Sequence, residues 1–181
     1  MPKSYAGSNR LALQPYSPRE KASILGASWK VSYLRQPDQW VAHLVHTLMY
    51  TGWHEAVIYD PNRFDPRVEG GFLCWTRPKN KLQLRLPIHK EIRPWIEEFL
   101  SQSRPGDPKR YYQILADVGF EAGVKCNNLR FRHTACVIFI RDLRLPPTDV
   151  MRLMGVTAAT LQYSAIRPIE DIENDMRSAG W

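Results

Sequence analysis

The sequence contains few cysteines, and their spacing excludes the common disulfide and zinc frameworks. They are Cys74, Cys126 and Cys136, with no CxxC pair and no Cys/His ligand spacing. An odd number of scattered cysteines is typical of reduced residues in a protein core. The aspartates, glutamates and histidines show no metal-ligand spacing either, so we expect no metal and no other cofactor.

Long apolar runs are also lacking. No segment approaches the length of a membrane-spanning helix, and the first residues, MPKSYAGSNR, lack the apolar region of a signal peptide. The sequence has no internal repeats and no low-complexity tracts. We therefore expect an intracellular, cytoplasmic protein without a membrane partner.

Positive charge, by contrast, is abundant. The 181-residue chain is long enough for one domain with a sizeable core, and its 25 lysines and arginines against 18 acidic residues give a net charge of +7. Residues 71–110 contain nine basic and four acidic residues, so +5 of this charge lies there. Such a charge favours an anionic partner, and nucleic acid is the first candidate.

Apolar periodicity predicts a mainly helical chain with a small antiparallel sheet, an α+β fold. Residues 71–76 and the alternating leucines of residues 82–86 predict two strands, which a basic turn joins into a β-hairpin. Capping residues and glycines mark the helix ends. The first predicted helix begins at Ser17 and falters at Gly26, and another runs from Asp107 to Gly119 or Gly123. Two further helices are predicted between Asn127 and Gly155. The remaining predicted helices cover residues 38–51, 55–59, 90–102 and 168–178. We expect residues 1–36 to be a tail or linker with a short helix, and residues 37–181 to be one folded domain.

Four short motifs occur in order along the chain. They are LMYTGWHEA (residues 48–56), KNKLQLRLP (79–87), LRFRHTA (129–135) and LMGVTAATLQY (153–163). They resemble, respectively, a helix end, the basic hairpin, the HxLRHT box and the LGHSSxxTTxxY segment of the tyrosine recombinase (phage integrase) family. The order of the four motifs over roughly residues 38–166, rather than any one of them, indicates the resemblance.

The resemblance implies the fold of that family's catalytic domain, and a DNA strand transferase that cleaves and rejoins double-stranded DNA through a 3′-phosphotyrosine link. Tyr163 would then be the nucleophile, and Lys79, eight residues before Pro87, would protonate the leaving 5′-hydroxyl. Arg132 and His54 would hold the non-bridging oxygens of the phosphate, a role that suits a planar, permanently charged guanidinium. Family members act as synaptic tetramers on DNA, which implies a homo-oligomer here.

The basic hairpin extends this site into a predicted DNA-contact surface, because phosphate contacts from lysine and arginine supply much of the affinity for DNA. Arg130 lies two residues before Arg132 and is the alternative candidate for the same phosphate-binding role. The predicted DNA-binding residues are Arg77, Lys79, Lys81, Arg85, Arg130 and Arg132.

Structural roles stay open for several of these residues. If their roles are structural, Tyr163 is an ordinary packing residue, and Lys79 and Lys81 only form a solvated turn. His54 follows the glycine that ends a helix, where an imidazole caps main-chain carbonyls.

Three positions depart from the family's active-site pattern. His54 stands where the family has an arginine, and Leu129 and Val156 stand where it has histidines. The interval from Gly155 to Tyr163 is also shorter than the family's. These departures favour a second hypothesis, a catalytically degenerate DNA-binding module that keeps the recombinase fold. A third hypothesis, a basic helical protein-interaction domain, explains the charge but not the order of the motifs.

Overall fold

The computed structural model describes residues 14–34, 40–78, 81–102, 107–158, 161 and 176–177. Over these residues the chain is mainly helical with one small antiparallel sheet, which confirms the predicted α+β fold class. The helices are α1 (Pro18–Leu34), α2 (Trp40–Thr51), α3 (Glu55–Tyr59), α4 (Pro61–Phe64), α5 (Arg93–Ser101), α6 (Pro108–Ala122), α7 (Asn128–Val137), which continues into a π-helical segment (Ile138–Asp142), and α8 (Pro147–Met154). None of these helices is long and apolar enough to cross a membrane.

The sheet pairs its strands in chain order. They are β1 (Arg67–Glu69), β2 (Phe72–Thr76) and β3 (Gln83–Pro87). β2 and β3 form the predicted hairpin, with Cys74 opposite Arg85. β1 was not predicted, because two of its three residues are charged and so carry no apolar alternation.

Most of the predicted helices are present, and glycines end them as expected. Gly52 directly follows α2, Gly155 follows α8 and Gly123 follows α6, where it is the second of the two predicted stops. Gly119 instead lies inside α6. A Cβ there would meet the carbonyl oxygen of Val124 at 2.7 Å, so this glycine allows a close main-chain approach rather than a helix end.

The prediction that the first helix falters at Gly26 is wrong, because α1 continues unbroken through this residue. An isolated glycine costs a helix about 1 kcal/mol relative to alanine, an amount that tertiary packing offsets. Ile24, Ala27 and Val31 of α1 are buried, and the helix packs against α2 and α6. α1 therefore shares the main core, and the division of the chain after residue 36 stays a prediction.

Helix α2 forms the centre of the core, where it packs against α1, α5 and α7. Ten of its twelve residues are buried. At its C-terminal end, a Cβ on Gly52 would lie 3.0 Å from the Cβ of Ala135 and 3.0 Å from the Cα of Arg132. The absence of a side chain at this glycine therefore brings the end of α2 against the start of α7.

A buried arginine ties the start of α7 to the N-terminal part of the chain. Arg130 is 8% exposed, and its guanidinium donates to the Glu20 carboxylate at 2.9 Å and to the Lys125 carbonyl at 3.3 Å. A third bond reaches the Gln14 carbonyl at 3.0 Å, and the guanidinium stacks 4.1 Å above the centroid of the Tyr16 ring. Each of the three nitrogens of this guanidinium therefore makes a hydrogen bond inside the protein.

The capping box predicted at the start of α1 is confirmed. The Ser17 N–H donates to one carboxylate oxygen of Glu20 at 2.8 Å, and the Glu20 N–H donates to the Ser17 hydroxyl at 3.2 Å. Tyr16, in the range predicted as a tail, is only 4% exposed and donates its main-chain N–H to the Thr134 hydroxyl at 2.8 Å. The residue before the capping box thus belongs to the core.

Replacing Arg130 by methionine tests the contribution of the buried ion pair. The substitution leaves Glu20 without its cation and main-chain carbonyls without a donor, so we expect the free energy of unfolding to fall by about 2–4 kcal/mol. Arg67→Met is the control, because its ion pairs with Asp65 and Glu69 are exposed and contribute less than about 0.5 kcal/mol. Urea unfolding measures both, and equally small losses in the two variants would contradict the assigned role.

A cluster of two indoles and two imidazoles joins α1, α2 and α5. Trp95 stacks on His46 with ring centroids 4.4 Å apart and 13° between the planes. His43 and Trp29 contact the same indole, with centroids 5.6 Å and 5.4 Å away. The Nδ1–H of His46 donates to the Ala42 carbonyl at 2.8 Å. Burial lowers the pKa of His46, and His43 adds to this shift while the bond to Ala42 opposes it.

We expect the protein to lose stability as the pH falls through the folded-state pKa of His46. The unfolded chain protonates this histidine near pH 6.5, whereas the folded chain does so only at a lower pH. The stabilisation is therefore fully present above about pH 6.5 and is lost below it. Urea unfolding between about pH 7.5 and about pH 5 should give a shallower decline for His46→Phe than for the wild type, and equal declines would refute this assignment.

Candidate functional site

A pocket of about 390 Å³ opens where the ends of α2 and α8, the start of α7 and the β2–β3 hairpin meet. Among its described lining residues, the ionisable side chains are His54, Arg77 and Arg132. Two buried indoles, Trp53 and Trp75, contribute to the walls with ring centroids 5.9 Å apart. The pocket thus combines two guanidiniums and an imidazole with apolar walls, an arrangement that strengthens the binding of an anion.

Arg132 bridges the C-terminal ends of two helices. Its Nη1 donates to the Gly52 carbonyl, directly after α2, at 2.9 Å, and its Nη2 donates to the Met154 carbonyl at the end of α8. The last carbonyls of a helix lack partners within it and favour a nearby cation. Burial lowers the pKa of Arg132, the Cys136 thiol opposes this shift, and the Arg77 guanidinium adds to it. Arginine nevertheless keeps its charge at neutral pH.

The start of α7 directs the two candidate arginines, Arg130 and Arg132, to nearly opposite sides of the helix. Asn127 caps this helix, because its side-chain oxygen accepts from the Arg130 N–H at 2.8 Å. Residues two apart on a helix point to nearly opposite sides. Arg130 accordingly points toward α1 and Arg132 toward the pocket.

Arg77 reaches the same pocket from the end of β2. Its main-chain N–H donates to the Leu82 carbonyl at 2.8 Å, which closes the hairpin turn. Its Nη2 donates to the Gly155 carbonyl at 2.8 Å, next along the chain from the Met154 carbonyl that Arg132 binds. Gly155 has a φ of 63°, and a Cβ there would collide with the Arg77 guanidinium. This glycine therefore both ends α8 and admits the arginine.

His54 is the N-cap of α3. Its Nδ1 accepts from the Ala56 N–H at 3.2 Å, so Nδ1 carries no proton and the neutral ring is protonated at Nε2. Partial burial lowers the pKa of His54, Glu55 opposes this shift, and Arg132 adds to it. The histidine thus lines the pocket as a neutral donor. The sequence left open a structural role in which this ring caps carbonyls; its Nδ1 instead caps an amide N–H at the start of the next helix.

Two predicted DNA-binding residues lie on the hairpin outside the described lining of the pocket. Lys81 is exposed, with its Nζ 5.1 Å from the centroid of the Phe64 ring. Arg85 is also exposed and lies over the Phe72 ring at 4.4 Å. These cation–π contacts place Lys81 against α4 and Arg85 against β2, and both charges stay open to solvent.

Two of the predicted catalytic residues, Lys79 and Tyr163, lie outside the described residues. The predicted helix over residues 168–178 also lies outside them, apart from residues 176 and 177, which are helical. Their predicted positions and roles stay predictions.

Glu55 is a charge at this site that the motifs do not indicate. It follows His54 in the first turn of α3, and its carboxylate opposes the lowering of the pKa by burial at both His54 and Arg132. The sequence signal was its position beside the helix cap, where acidic residues are common for helix stability alone.

The described fold is similar to that in the crystal structure of XerA recombinase, with a TM-score of 0.68 at 16% sequence identity. The chain has a tyrosine-recombinase fold. The similarity covers 90% of this chain and 65% of that chain, which is less than two thirds of its length. No family model matches the sequence, and no curated protein matches it either.

Two of the three positions that depart from the family's pattern do not contribute to the described lining of this pocket. Leu129, in the first turn of α7, is 41% exposed, and Val156 directly follows Gly155. His54 is therefore the one of the three substitutions that contributes a side chain to the lining within the described part of the chain.

The charge state of His54 is testable by NMR titration of its ring. We expect a midpoint below the ordinary value of about 6.5, with the proton on Nε2 at neutral pH, because burial disfavours the imidazolium and Nδ1 caps α3. His54→Asn, which keeps the cap, identifies the resonance by its loss. A midpoint above about 6.5 would mean that the site holds a cationic imidazole.

Proposed function

We propose that this chain binds double-stranded DNA and acts as a site-specific recombinase or integrase, cleaving and rejoining strands through a 3′-phosphotyrosine link. The observation that carries this proposal is the position of the Arg132 side chain. In a fold similar to that of XerA recombinase, this arginine is held between two helix ends and lines an otherwise largely apolar pocket. The net charge of +7 supports a polyanionic partner.

In the proposed reaction Tyr163 is the nucleophile. Its phenol loses its proton to water, the phenolic oxygen forms a bond to the phosphorus, and the bond between the phosphorus and the 5′-oxygen breaks. Lys79 gives a proton to that leaving oxygen. Arg132 and the Nε2–H of His54 donate to the non-bridging oxygens, where negative charge increases in the transition state. Attack of a 5′-hydroxyl on the phosphotyrosine reverses these steps and rejoins the strand.

The proposed DNA surface continues from the pocket along the hairpin. Arg77 lies at the pocket, and Lys81 and Arg85 are exposed beyond it. These cations would contact backbone phosphates, which position a protein on DNA without reading its sequence. Arg130 does not enter this surface, because its guanidinium is buried and bonded within the protein. Assembly as a homotetramer on DNA, and a DNA-associated place in the cell, belong to the same proposal.

A non-catalytic DNA-binding module is the second candidate function. One specific observation favours it: the neutral ring of His54 uses Nδ1 as a helix cap, so this position supplies one hydrogen bond where a guanidinium would supply charge and a planar fork. The module would keep the cations of the pocket and the hairpin and would bind DNA without cutting it.

Covalent trapping distinguishes the two functions. The protein is incubated with nicked suicide duplexes drawn from a random-sequence pool, and the products are separated on a denaturing gel. We expect a slower band that carries protein and DNA and that is absent for Tyr163→Phe, because only the phenol supplies the linking oxygen. Tyr163→Phe keeps the ring and serves as the matched control for folding and DNA binding.

The salt dependence of binding checks the DNA contact itself. The logarithm of the binding constant falls linearly as the logarithm of the salt concentration rises, and each phosphate contact adds about one to the steepness of this fall. Arg85→Gln removes one such contact and should therefore make the fall less steep by about one. Steep salt dependence without a covalent band would favour the non-catalytic module. Absence of DNA binding even at low salt would refute both functions.

A further inference from the structure

Two arginines from distant parts of the chain are held side by side at the end of α8. Arg132 of α7 donates to the Met154 carbonyl, and Arg77 of the hairpin donates to the Gly155 carbonyl at 2.8 Å. Because these carbonyls belong to consecutive residues, they anchor the two guanidiniums next to each other. Both side chains line the same pocket.

Two like charges in a partly buried pocket repel each other. Burial lowers the pKa of Arg132 most, and the Arg77 guanidinium adds to this shift, while the Cys136 thiol and the Glu55 carboxylate oppose it. The carbonyls of α2 and α8 offset part of this cost, since they carry the negative ends of the helix dipoles. An anion between the two guanidiniums would remove more of it.

Both guanidiniums have donors to offer such an anion. Each carries five N–H groups. Within the described part of the chain, Arg77 uses one of them, toward Gly155, and Arg132 uses two, toward Gly52 and Met154. The imidazole of His54 lines the same pocket and presents a neutral Nε2–H.

We propose that Arg77 and Arg132 together form a two-guanidinium site for one phosphate group, with His54 as a third, neutral donor. Planar guanidinium forks match phosphate oxygens and donate pairs of charge-assisted hydrogen bonds. A pocket of about 390 Å³ admits a phosphate group. Arg77 is therefore a phosphate ligand of the pocket itself, beyond a general contact to the DNA backbone. The inference rests on the proposed function, because the phosphate would be that of the DNA strand.

The site has a consequence for the fold. Arg77 belongs to the hairpin and Arg132 to α7, so a phosphate bound by both joins two elements that are distant in the sequence. Binding should therefore stabilise the folded chain against heat. Inorganic phosphate is a suitable probe, since it presents the same oxygens without requiring a DNA sequence.

Thermal unfolding with inorganic phosphate, at constant ionic strength set with sodium chloride, tests this proposal. We expect the wild-type Tm to rise by about 3–6 °C once phosphate exceeds its dissociation constant about tenfold. Arg77→Gln and Arg132→Gln should each weaken phosphate binding at least about tenfold. Arg93→Gln is the matched control, because this exposed arginine of α5 pairs only with Glu97 among the described residues. Its Tm should rise with phosphate as in the wild type.

The fluorescence of the pocket indoles gives an independent measure of phosphate binding. Trp53 and Trp75 line the pocket, so phosphate should change their emission in the wild type and in Arg93→Gln. Arg77→Lys is the second variant, in case loss of the bond to Gly155 prevents Arg77→Gln from folding. It keeps the charge but lacks the planar fork, so we expect weaker phosphate binding than in the wild type.

The outcomes separate this inference from the proposed function. If phosphate stabilises the wild type and both glutamine variants lose the effect, the two-guanidinium site is supported, even if the protein fails to bind a DNA duplex in a gel-shift assay. If Arg77→Gln or Arg77→Lys binds phosphate as tightly as the wild type, or if phosphate does not stabilise the wild type, the inference is overturned. DNA binding and covalent trapping are judged separately.

Discussion

The hydrogen bonds of Arg132 to two helix ends are the contacts on which the candidate site depends. The last carbonyls of a helix have no partner within it, and the Arg132 guanidinium donates one hydrogen bond to the Gly52 carbonyl after α2 and one to the Met154 carbonyl at the end of α8. The absence of a side chain at Gly52 lets α7 approach closely enough for this to occur. The pocket is the space left between the helix ends that this arginine joins.

The same side chain therefore joins two helix ends and, in the proposed function, binds the phosphate. A cation that is already bonded to fixed carbonyls does not have to be oriented when a ligand arrives, which is the condition for strong electrostatic stabilisation. Arg77 is held in the same way, through Gly155. The cost is mutual repulsion between two partly buried charges, which an anion bound between them would reduce.

Local patterns predicted much of the fold. The apolar stripe of α2, the capping box at Ser17 and the glycine stop at Gly155 are features of neighbouring residues, and each appears where the pattern indicates. Where tertiary contacts decide, the local signal failed. α1 continues through Gly26 because packing on α2 and α6 outweighs the weak helix propensity of one glycine. β1 forms through pairing with β2 rather than through an apolar period of its own.

The sequence by itself determined most of the helices, the β2–β3 hairpin, the positive charge and the order of the four motifs, because each depends on residues that are neighbours in the chain. Only the tertiary structure decided which of the positive charges are buried in ion pairs and which line the pocket. Arg130 and Arg132 are equivalent as sequence, yet Arg130 meets Glu20, 110 residues away, and is buried in an ion pair. Arg132 meets two helix ends and a pocket. Partners so distant in the chain are brought together by packing of the whole core, and no local pattern encodes them.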